Sequence, residues 1–230
     1  MNLEVEINYN ITKGQVYSMA VLVQKALSKS VEALVGSDYA LTHSILKDRA
    51  EIQAYETKVS DSSLMTLLLD KTPSHLISSV LSLEKISHVL ESIGRQVVHL
   101  ASSTVNLISG RINKEIEELT PMAGLCLKTY NDAIACFFDK NPTPEEIYIL
   151  INKILELNKV VLDKTVEKVT CGRIFFQNAI EMVTICKSIE SIVELSRQIA
   201  EESRGSFDTK QIRSPRVRSF ANRQSSLAGF

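Results

Sequence analysis

Leu90-Glu91-Ser92-Ile93-Gly94-Arg95-Gln96, near the middle of the chain, reads almost like Ile189-Glu190-Ser191-Ile192-Val193-Glu194-Leu195, about a hundred residues later. Each is a Glu-Ser-Ile core inside a long amphipathic stretch, with a charged residue four positions after the Glu. At about 3.6 residues per helical turn, side chains four apart lie on one face, so each copy projects a polar pair from the same side of its helix. The second copy keeps two carboxylates, Glu190 and Glu194. The first replaces the second acid with Arg95. A motif repeated at this distance points to a duplicated helical unit.

The surroundings of both copies support six helices. Val16, Met19, Val23, Ala26, Leu27, Val31 and Leu34 recur at helical spacing and predict a first helix from about Thr12 to Val35. Gly36-Ser37-Asp38 ends it, and a second helix follows from about Tyr39 to Leu69. Thr72-Pro73 reads as an N-cap with proline at the first helical position. The third helix, reaching about Ser109, carries the stripe Leu76, Val80, Leu83, Leu90, Ile93, Val97 and Leu100 before Gly110. A fourth helix is expected to end near Asp139, with Pro121 in its first turn. Thr143-Pro144-Glu145-Glu146 restarts the chain with a cap, a proline and two acids facing the helix dipole. The fifth helix runs to about Val169, Cys171-Gly172 turns, and the sixth runs to about Ser203. Long helices joined by short turns pack antiparallel. The expected fold is therefore all-α: two tandem three-helix bundles, residues 12–110 and 111–203, and a disordered C-terminal tail, 204–230.

Composition agrees with a helical protein. Glycine and proline number eight and five in 230 residues, and tryptophan is absent. Charge is uneven. From Arg204 onward six bases face one acid, while Met1 to Ser203 carries 20 bases against 26 acids. No apolar run is long enough to span a bilayer, and Met1-Asn2-Leu3-Glu4-Val5-Glu6 lacks the pattern of a signal peptide, which points to a cytoplasmic protein. Cys126, Cys136, Cys171 and Cys186 form no CxxC pair and sit among apolar residues, as buried free thiols would.

The order of these segments resembles the PhoU family of phosphate-uptake regulators over about Thr12 to Ser203. The resemblance rests on Met19-Ala20-Val21-Leu22-Val23-Gln24-Lys25-Ala26-Leu27 and on Asp48-Arg49-Ala50-Glu51-Ile52-Gln53-Ala54-Tyr55-Glu56. It rests further on Thr72-Pro73 and on the two Glu-Ser-Ile segments, which stand where the family carries Glu-Arg-Ile-Gly-Asp. It implies a cytoplasmic adaptor that docks on the ATPase of the phosphate ABC transporter and on a sensor histidine kinase, with no catalytic activity and with peripheral membrane association through those partners. It also implies a tendency to dimerise and metal ions held by acidic signatures on the second and third helices of each unit.

The residues depart from that metal pattern. A hard or borderline cation needs several converging oxygens. Glu91 is followed by Arg95, and the second-helix positions facing it fall near Arg49 and Gln53. Arg49 and Arg95 would neutralise Glu91, giving an ion-paired cluster in place of a metal. A transition metal on Glu84, His88 and Glu91 is the alternative, set against a plain polar seam. In the second unit a metal on Glu190, Glu194 and Glu156 is weighed against an exposed acidic face. A turn near Gly172 sets Glu190 opposite about Asn152 to Glu156, leaving Asp163 on the order of two turns away.

The remaining signals are structural. The basic tail (Arg213, Arg216, Arg218, Arg223 with Phe220) could touch anionic lipid or nucleic acid, but disorder without a role is the simpler reading, and no nucleic-acid partner is expected. His43 and His75 read as surface residues. Phe137-Phe138 and Phe175-Phe176 read as staples of the bundle. No nucleophile elbow, phosphate-binding glycine loop or cofactor motif is present. The leading expectation is a regulatory adaptor of phosphate transport and starvation signalling, with no cofactor. The alternatives are a metal-binding helical protein, and a PhoU-like scaffold for another transporter or partner.

Overall fold

The computed structural model describes residues 3–36, 40–69, 72–109 and 113–204; the side chains of residues 40, 42, 43 and 113–118 are not described. Six helices and no strand are present among the described residues: α1 (Leu3–Gly36), α2 (Ala40–Leu68), α3 (Ser74–Ser109), α4 (Asn113–Asp139), α5 (Pro144–Thr170) and α6 (Phe176–Glu202). The expected boundary at Gly110-Arg111, the tail beyond Arg204 and the His43 side chain lie outside the described residues.

Helix ends follow local chemistry. At the start of α5, Glu146 reaches back to accept from the Thr143 backbone N–H at 2.8 Å and from its hydroxyl at 3.1 Å, so an otherwise orphaned end is satisfied. At its close, Gly172 takes φ 67°. The Gly172 N–H donates to the Val169 carbonyl and the Arg173 N–H to Lys168, the bonding of a Schellman turn.

Four expectations need correction. The first helix begins nine residues before Thr12. Val5, Tyr9, Thr12 and Val16 continue its buried face, and the Thr12 hydroxyl donates to the Asn8 carbonyl at 2.9 Å instead of capping. Pro121 lies inside α4, not in its first turn. Cys171 is exposed because it caps α5 at the turn, whereas Cys126, Cys136 and Cys186 are buried. Phe175 and Phe176 do not staple the bundle: they are 82% and 71% exposed. Phe175 is the extended N-cap of α6 (φ −70°, ψ 146°), ahead of the first buried residues, Asn178 and Ala179.

Within each unit the helices run up, down, up. Between units α1 packs on α4 and α3 on α6, which leaves α2 and α5 on the outside. Gln24 donates to Asn131 at 2.9 Å, and Tyr17 meets Phe138 edge-on at 5.4 Å. Ser82 donates to Glu202 at 2.7 Å, and Asn106 to Glu181 at 3.1 Å. In both pairs residue numbers rise on one helix as they fall on the other, so both contacts are antiparallel. The Tyr130 hydroxyl donates to the Ala20 carbonyl at 2.8 Å in a fully buried position. One continuous core runs through both units, including Leu83, Leu90 and Ile93 from α3 and Ile185, Ile189 and Ile192 from α6. Full burial of each such side chain contributes about 1.5–3 kcal/mol before the cost of ordering it.

Candidate functional site: the seams beside the two Glu-Ser-Ile segments

Both Glu-Ser-Ile segments place their glutamate at a helix seam, Glu91 between α3 and α2 and Glu190 between α6 and α5. Leu90 and Ile93, like Ile189 and Ile192, are buried and hold each helix in register. The glutamates are thereby turned toward the neighbouring helix.

Glu91 is 6% exposed. Arg49 reaches across from α2 to Oε1 of Glu91. Arg95 Nη1, one turn along α3, stands 3.0 Å from Oε2. A second arm of Arg95 donates to the Ser92 hydroxyl at 2.9 Å. Both oxygens of one carboxylate are thus held by two guanidiniums, and Gln53, the other position expected to face Glu91, is exposed. The helices are close here. A Cβ on Gly94 would lie 3.3 Å from Cγ2 of Ile52 and 3.6 Å from Cδ of Arg49.

About two turns away along the same seam is a second polar cluster. His88 Nδ1 lies 2.8 Å from Oε1 of Glu56, and its Nε2 lies 3.4 Å from Oε1 of Glu84. That Glu84 oxygen also accepts from the Ser60 hydroxyl at 2.5 Å. Glu56 closes the second-helix segment quoted above without a role of its own, and Ser60 is not singled out by the sequence reading. Their signal was available: Arg49, Glu56 and Ser60 are seven and four apart on α2, matching Glu91 and Glu84 on the antiparallel α3. His88 and Glu91 belong to separate clusters and do not converge on one point. His99 and His75 are exposed.

The second seam is built differently. Asn158, 5% exposed, is the α5 residue opposite Glu190, and its amide donates to Oε2 at 3.4 Å. This differs from the expected Asn152–Glu156 because the turn extends through Phe175 and shifts the pairing along α5. Glu156, two residues before Asn158, points about 200° around the helix and is exposed. Glu190 is held by Lys187 at 2.6 Å. Glu194 is gripped by Arg197, with Nε 2.9 Å from Oε2 and Nη2 2.5 Å from Oε1. Those bonds hold the Glu194 carboxyl below the ordinary carboxylate range. Glu190, Glu194 and Glu156 are therefore not gathered. Among the described residues no three His, Cys, Asp or Glu side chains are placed to hold a metal ion. In both seams the nearest groups to the glutamates are fixed cations or an amide, a donor set that does not fit a divalent cation.

Fold and seams together define a helical array of two three-helix units joined through α1–α4 and α3–α6, with a polar seam in each unit. Residues 16–104 match the PhoU domain family model. The phosphate-specific transport system accessory protein PhoU homolog 1 of Thermotoga maritima is 22% identical over 199 residues, 86% of each chain. The PhoU homolog of Aquifex aeolicus is 23% identical over 150 residues, 65% of each. PhoU from Pseudomonas aeruginosa superposes with a TM-score of 0.79 at 17% identity, over 86% of this chain and 96% of that one. The phosphate transport system regulatory protein PhoU from Streptococcus pneumoniae gives 0.78 at 16% identity, over 86% and 94%. The solved structures establish likeness of fold. Residues 16–104 thus match the PhoU domain model, and the chain as a whole is similar to PhoU proteins in sequence and in fold. No described helix is long and apolar enough to cross a membrane.

Proposed function

We propose that the chain is an accessory regulator of phosphate transport, working without catalysis by docking its helical surfaces on a transporter ATPase and on a sensor kinase. One observation carries this reading: a relative named for the phosphate-specific transport system matches 86% of the chain. Exposed apolar side chains support this reading. Leu64, Met65 and Leu68 at the end of α2 are 57–71% exposed, and apolar exposure of this kind suits protein contact. Binding one conformation of the ATPase better than another would bias its equilibrium and report its state to the kinase.

The test is capture of the tagged protein from membranes that contain both the phosphate ABC transporter and its kinase. Retention of the ATPase subunit through washing is the expected outcome. Retrieval of a different transporter would support the broader scaffold reading. Recovery of neither ATPase nor kinase would overturn the proposal.

A further inference from the structure

We infer that Arg49 and Arg95 make the first unit's α2–α3 seam a metal-independent joint and act as specificity-determining residues that exclude divalent cations from it. Family resemblance places a cation beside Glu91; the side chains there oppose one. Two guanidiniums face a single carboxylate, so the cluster is already positive by one charge before any ion arrives. Arg49 takes Oε1 of Glu91, and Arg95 stands 3.0 Å from Oε2. An entering cation would have to displace both while repelled by both, at a site where Glu91 is 6% exposed and water screens poorly. Space is short as well, since even a Cβ added at Gly94 would meet Ile52 at 3.3 Å and Arg49 at 3.6 Å.

The positive charge that a bound ion would bring to this seam is instead covalently part of α2 and α3. The guanidinium suits that substitution because it stays charged at any working pH and presents several donors in a fixed plane. The second unit differs: across its seam Glu190 meets the Asn158 amide, not a cation. The duplicated fold therefore carries two chemically unequal joints. The inference stands independently of the partners proposed above.

Melting of the full chain, purified without chelator, decides the matter. It is followed alone, with EDTA, and with Mn²⁺ as the probe ion. The expected result is a wild-type Tm that any chelator or Mn²⁺ effect leaves independent of Glu91, with the same response in Glu91→Gln. Arg49→Gln/Arg95→Asp removes both guanidiniums and restores a Glu-x-x-x-Asp pair. It should melt lower than wild type without metal and regain several degrees with Mn²⁺. Arg95→Asp alone, changing a side chain more than half exposed, keeps Arg49 in place and should gain no Mn²⁺ response. Three results would overturn the inference: a wild-type metal response that Glu91→Gln abolishes, a response acquired by Arg95→Asp alone, or a folded double variant indifferent to Mn²⁺. If the double variant does not fold, the wild type, Glu91→Gln and Arg95→Asp still decide.

Discussion

Arg49 and Arg95 touch the same carboxylate but should contribute very differently to stability. Arg49 crosses a helix seam with its side chain 19% exposed, whereas Arg95 is 56% exposed and pairs within its own helix. Removing one partner of a buried pair strands the other, so Arg49→Ala should destabilise by about 3 kcal/mol. Arg95→Ala should cost about 0.5 kcal/mol, as exposed helix pairs do. Equal losses in denaturant unfolding would contradict this ranking. Arg95 was legible in the sequence because it breaks a repeated motif. Arg49 was legible once the antiparallel register of a short turn was assumed. The Asn158–Glu190 contact was not, because a turn a few residues longer than assumed moves every facing position along α5.

The thiols make a second residue-scale case. Burial pushes Cys126 and Cys186 up from 9.0 to about 12, because a thiolate there would lose its water. In the unfolded chain both would ionise near their ordinary value. Above about pH 9 the unfolded state therefore sheds protons that the native state keeps, and stability falls as pH rises toward 12. Below pH 9 both states are protonated and these groups give no slope. The folded protein should show one fast-reacting thiol, Cys171, toward an aromatic disulfide reagent near pH 8, and four in denaturant. Fast reaction of Cys126 would refute the assigned burial.

At the scale of elements, helical glycines separate propensity from packing. Gly14 in α1 and Gly124 in α4 have nothing within 4 Å of an added Cβ. Alanine at either should stabilise by about 1 kcal/mol, since it loses less backbone freedom on folding. Gly94 has the same propensity to gain but meets Ile52 at 3.3 Å. Gly94→Ala should yield little net gain, and Gly94→Val should destabilise by roughly 1–3 kcal/mol through overpacking. Thermal melts of the four variants check the order, and Gly94→Val at wild-type stability would show that α2 yields easily. Helix number and type were readable from the apolar period because long stripes leave little ambiguity. Ends were less so: a buried Thr12 resembles a cap in sequence, and an exposed proline resembles a start. Only packing against neighbouring helices distinguishes these cases.

At the scale of the molecule the two units share one core, so they should unfold together. Calorimetric and van't Hoff enthalpies should agree, and probes in either unit should report one transition. The Tyr130 hydroxyl on the Ala20 carbonyl is a fully buried polar tie between them. Tyr130→Phe should lower stability by about 1 kcal/mol while keeping the transition single. Two separated transitions in the wild type would show that the α1–α4 and α3–α6 contacts are too weak to couple the units.

The antiparallel pairing of α3 with α6 has a last consequence. It relates the units by an approximate half-turn, so equivalent hairpin tips are sent to opposite ends of the helical array. One pole carries Leu64, Met65 and Leu68, the other Phe175 and Phe176, all well exposed. Helices of 27 to 36 residues separate those poles by roughly 40–50 Å. A body small enough to cap one pole therefore leaves the apolar side chains of the other pole uncovered.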